Sequence, residues 1–122
     1  MSLRHGEQVF LVDGSGQVLG TARFEELDSF ELGSPERVIP CHRYSGPFQP
    51  TSSWDTSEAK TLLGQLDDAI NSNSFSGLDD LQDQLFDRGV RLHRAVDGAT
   101  LTALSLLLYD GSTLEWMIER FE

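Results

Sequence analysis

Residues 55–87 are patterned differently from everything around them. Ala59, Leu62, Leu63, Leu66, Ala69 and Ile70 recur at helical spacing, and Leu78, Leu81 and Leu85 repeat the stripe with Phe86 beside them. The stretches before and after alternate instead with period two between glycine turns, which is the spacing of strands. A helix pair set between two groups of strands packs most simply when both groups share one sheet and the helices cover it. The expected fold is therefore α+β: an antiparallel β-sheet, formed by an N-terminal hairpin and a C-terminal three-strand meander, with two consecutive helices packed on one face.

The boundaries follow from local chemistry. Residues 8–12 and 17–24 flank Asp13-Gly14-Ser15-Gly16 and read as a hairpin. The acid-rich stretch 25–36 reads as loop or a short turn of helix. Residues 36–44 read as a third strand, which Pro40 would confine to an edge or a bulge. Gly46, Pro47 and Pro50 mark 44–54 as a loop. Asp55-Thr56-Ser57-Glu58 has the form of a capping box for a helix ending near Asn71, and Ser76-Gly77-Leu78-Asp79 opens a second that Gly89 stops. Strands over 90–96, 100–109 and 113–120 are joined by Asp97-Gly98 and Asp110-Gly111, dipeptides that supply the two positive φ values of a type I′ turn.

A chain of 122 residues fits one domain. Residues 4–121 are taken as that domain, with residues 1–3 and 122 having the look of cloning-derived ends. A single cysteine excludes an internal disulfide framework and points to the cytoplasm. The longest near-apolar run, residues 104–109, is too short to span a bilayer.

The 20 acids outweigh the 9 bases, for a net charge of −11. That field repels phosphate backbones and anionic lipid, so a basic protein is the expected partner and neither nucleic acid nor membrane is. Eight of the acids and one lysine fall within 55–87, a net −7. Asp79, Asp83 and Asp87 stand four residues apart and share a stripe opposite Leu81 and Leu85, with Asp80 beside them. Like charges at that spacing repel by a few tenths of a kcal/mol per pair. Such a face is either solvated surface or a docking site for a basic partner. Tyr44, Phe48 and Trp54, among prolines in the 44–54 stretch, are the second candidate contact: they either cap the core or present a hot spot. A final strand ending at residue 122 offers an edge for a homodimer.

Chemistry has one candidate, Pro40-Cys41-His42-Arg43. The run resembles the active-site signature of alkylguanine–DNA alkyltransferases, in which the cysteine accepts an alkyl group from a flipped base. The resemblance implies Cys41 as acceptor and His42 as its base, with Arg43 beside them. It covers only these residues and Ile39, and the helix-turn-helix that the family carries upstream is replaced by a hairpin and an acidic loop. A simpler reading keeps Cys41 as a redox or nucleophilic thiol, and the plainest makes it a small buried hydrophobe. Phe10 to Ala22 is similar to the opening hairpin of Nudix hydrolases, whose glutamate-rich box has no counterpart here. His5, His42 and His93 lack ligand spacing, so neither a metal nor another cofactor is expected.

Overall fold

The computed structural model describes residues 3–34 and 36–119. Strands β1 (Gln8–Val12), β2 (Val18–Arg23), β3 (Glu26–Ser34) and β4 (Arg37–Pro50) come first. Helices α1 (Glu58–Asn71) and α2 (Leu78–Asp87) follow, and then β5 (Arg91–Arg94), β6 (Thr100–Leu101), β7 (Ala103–Tyr109) and β8 (Thr113–Glu119). The architecture is α+β, with eight antiparallel strands in one sheet ordered β6-β5-β1-β2-β4-β8-β7 and β3 paired to β4. The hairpin β1–β2 forms across Asp13 to Gln17, where the Asp13 carboxylate accepts from the Ser15 and Gln17 amides.

Two bends turn this sheet back on itself. β6 and β7 stand at opposite ends of the strand order, yet only Thr102 separates them in the chain. The three C-terminal runs therefore divide: β5 and β6 pair with each other and with β1, whereas β7 pairs with β8. Strands that pass from one layer to the next make the corners of such packings. The second bend lies at Phe24 and Glu25, where β2 runs on into β3 along the same side of β4. Gly46 faces this bend, and a Cβ there would lie 1.5 Å from the Arg23 carbonyl oxygen, so the crossing needs glycine.

The concave side holds the core. Val9, Leu11, Leu19, Ala22, Leu92, Leu106, Leu108, Leu114 and Trp116 meet Ala59, Leu62, Leu63 and Leu66 of α1 and Leu85 of α2, and Leu3 joins them. Each such side chain contributes about 1.5–3 kcal/mol by leaving water. α1 lies against β7 and α2 against α1.

Several sequence expectations change here. The acidic stretch 25–36 is not a loop: most of it is β3, a nine-residue strand. Residues 44–50 are not a loop either, because β4 continues through Gly46 and Pro47 to Pro50. Pro47 sits where the neighbour on one side of β4 changes from β3 to β2, a point at which no ladder amide is needed. Pro40 opposes Glu31, one residue before the described pairing with β8 begins at Cys41.

The helix caps also differ. Ser57, not Asp55, caps α1, its hydroxyl accepting from the Lys60 amide at 3.2 Å. Asp55 instead receives Lys60 Nζ at 3.0 Å, and Glu58 pairs with Arg88. α2 follows a 3-10 turn over Phe75–Gly77 and has Gly77 at its N-cap, without a side-chain bond. Gly89 ends it at φ +78°. Of the two Asp-Gly pairs, only Asp110-Gly111 has positive φ at both residues, and Ser112 N–H closes that turn on Tyr109 O at 3.0 Å.

The C-terminal strand β8 lies between β4 and β7, so it offers no edge for a homodimer along its described length. The outer side of β7 is covered by a side chain. Gln82 of α2 donates from Nε2 to the Leu106 carbonyl at 2.7 Å and accepts the Leu106 amide on Oε1 at 3.1 Å. One glutamine thus supplies the donor and acceptor that a neighbouring strand would provide.

Candidate interaction surface

Cys41 and His42 are consecutive on an extended strand, so their side chains leave opposite faces. His42 lies on the same side as Tyr44, its ring centroid 5.8 Å from the tyrosine's, and its Nδ1 is 2.8 Å from Ser29 Oγ. Cys41 is 0% exposed on the other side, its sulfur directed at the Ile39 carbonyl at 3.5 Å. A thiol–imidazole pair between these neighbours therefore does not form, and the thiol is closed to solvent. The segment upstream is strand β3, not a helix-turn-helix. This geometry lends no support to the alkyl-acceptor or reactive-thiol readings: His42 faces away from Cys41, and the sulfur is enclosed.

Arg43 belongs to a different cluster, built across the convex face of β3, β4, β8 and β7. Its guanidinium carbon stands 4.5 Å over the Phe30 ring, its Nη1 lies 3.7 Å from Asp28, and its Nε lies 3.5 Å from Glu115. Burial pushes the Glu115 carboxyl above its ordinary value, and the Arg43 charge and a hydrogen bond with Tyr109 pull it partly back. Burial also raises the Tyr109 phenol, with the Glu115 charge adding to the effect. The cluster ties four strands together.

The three aromatics are inside. Tyr44, Phe48 and Trp54 are 2%, 6% and 5% exposed, so they are core residues and not a contact surface. Tyr44 stacks on Trp116 with centroids 5.9 Å apart, and Phe48 meets Trp54 edge-on at 5.1 Å.

The aspartates lie where the helical period places them. Asp79, Asp80, Asp83 and Asp87 are all exposed on α2, while Leu85 is buried beneath them and Gln82 is fixed to β7. Among the described residues none of the four enters an ion pair. The other acids of 55–87 are mostly engaged: Asp55 with Lys60, Glu58 with Arg88, and Asp67 with the Asp110 amide at 3.2 Å. Within 55–87, uncompensated charge is thus concentrated on one face of α2, with Asp68 of α1 outside the array. α2 has no basic residue in its last turn, so Asp87 also faces the negative end of its own helix.

Among the described residues, no helix is long and apolar enough to cross a membrane, and no three His, Cys, Asp or Glu side chains are grouped to hold a metal. No family model matches this chain, no curated protein matches it, and no solved structure matches it.

Proposed function

We propose that this protein is a small interaction or regulatory domain that docks a basic protein partner on the exposed aspartate face of α2, in the cytoplasm. The observation that carries this reading is that Asp79, Asp80, Asp83 and Asp87 project together without counter-charges, from a helix held rigidly on the sheet through Leu85 and Gln82. A fixed array of one sign speeds encounter with an oppositely charged surface and selects against acidic competitors. Masking a basic surface is itself a means of regulation, and the same field keeps phosphate polymers away.

The test is reversal of charge on the exposed face. Replacing Asp79, Asp83 and Asp87 together with lysine leaves the buried stripe intact, so the fold is retained by circular dichroism. Capture of the native partner from the source cytosol is then lost at physiological salt. Capture that survives the triple replacement unchanged overturns the reading.

A further inference from the structure

The edges formed by β7 and β3 are treated unequally. The β7 edge is capped at Leu106 by Gln82, whereas β3 is paired on one side only, to β4. Ser34 and Arg37 close that hairpin as a pair that exchanges both hydrogen bonds. By alternation, the amides of Leu27, Ser29, Glu31 and Gly33 point away from β4, and none of them has a backbone partner among the described residues. Backbone pairing along this side runs past Gln8 and Arg23 only as far as Phe24, whose amide donates to the Glu7 carbonyl and whose carbonyl accepts from Gly6, so among the described residues none pairs with this edge of β3. β3 carries Glu26, Asp28 and Glu31 and no basic residue, and Leu27 beside the edge is 51% exposed.

We infer that the outer edge of β3 takes up an extended, basic segment of a protein partner as an added strand. Main-chain hydrogen bonds to the four outward amides and their carbonyls provide the attachment, and the carboxylates of Glu26 and Glu31 select lysine- or arginine-bearing sequences, Asp28 already facing Arg43. A second copy of this chain is the poorer occupant, because its own β3 would bring three more acids to the same ladder. The inference rests on the basic-partner reading for the sign of the charge, but it assigns the contact to a different place from α2.

The probe is a short synthetic peptide of alternating lysine and valine, with an analogue N-methylated at every second residue as control. Amide exchange at Leu27, Ser29, Glu31 and Gly33 slows about tenfold or more with the peptide and not with the methylated analogue. Ser29→Pro, which removes an outward amide and no bond to β4, abolishes the effect. Ser29→Ala, which loses only the contact to His42, retains it. Equal protection by the methylated analogue overturns the inference, as does protection without peptide that grows with protein concentration, the mark of a second copy. Spectral changes confined to Asp79–Asp87 overturn the edge assignment while sparing the α2 reading. Silence at both places overturns the edge assignment and leaves the α2 reading to the charge-reversal test.

Discussion

Glu115 shows how one side chain senses the assembly of four strands. It is a carboxyl largely withdrawn from water, raised by burial and restrained by Arg43 at 3.5 Å. Its carbon-13 titration is expected to have a midpoint above that of an ordinary glutamate, and Arg43→Gln moves the midpoint higher still by removing the cation. The stability consequence has a definite sign. A folded value raised above the unfolded one gives stability that is complete below the unfolded value and is lost as pH rises through the folded one. Glu115 therefore contributes a decline in the denaturation midpoint as pH rises through that mildly acidic window, and Glu115→Gln removes that contribution. A midpoint at the ordinary glutamate value would show that the cluster is not desolvated. Nothing in the sequence announces this cluster: Arg43 and Glu115 belong to distant segments, and they meet only once β4 and β8 are in register.

Gln82 does for an element what Glu115 does for a residue. Replacing it with leucine leaves the Leu106 amide and carbonyl half-buried without partners, a loss of about 1–3 kcal/mol. Urea denaturation measures that loss, and faster exchange at the Leu106 amide locates it. Gln82→Glu keeps the acceptor but loses the donor, so it falls between the two; a leucine variant as stable as the native chain would mean that the edge does not need its cover. The helices themselves were legible, because Leu62, Leu63 and Leu66, then Leu81 and Leu85, keep a period that only a helix satisfies. So was the exposure of Asp79, Asp83 and Asp87, which follows from that period. β3 was hidden because an edge strand can carry Glu26, Asp28 and Glu31 and is recognisable only through its pairing with β4. The far half of β4 was hidden by Gly46, Pro47 and Pro50, residues that usually punctuate loops. Here they serve a strand that changes neighbours, and so Tyr44 and Phe48 became core where a loop had been expected.

At the scale of the whole molecule the governing quantity is the charge of −11. Self-repulsion of that size opposes the compact state and is screened over about 8–10 Å in ordinary salt. Raising sodium chloride should therefore raise the melting temperature. The gain should shrink when Asp79, Asp83 and Asp87 are replaced by asparagine, because the unpaired charge of α2 is then gone. Scanning calorimetry at several salt concentrations checks both statements, and a salt response equal in the two proteins would place the strain elsewhere.

Thr102 gives the fold a means of error correction. β6 is in register with β5, and β7 with β8, yet the two ladders are consecutive lengths of one strand run with a single residue between them. A slip of one position between β7 and β8 would turn Leu106 and Leu108 toward solvent, and one between β5 and β6 would turn Leu101, since side chains alternate between faces. Thr102 and the bulge at Leu104, where β7 shifts register against β8, are the whole link between the two ladders. A change of register in one ladder is therefore passed to the other across those few residues, so the two ends of the sheet settle their alignment together.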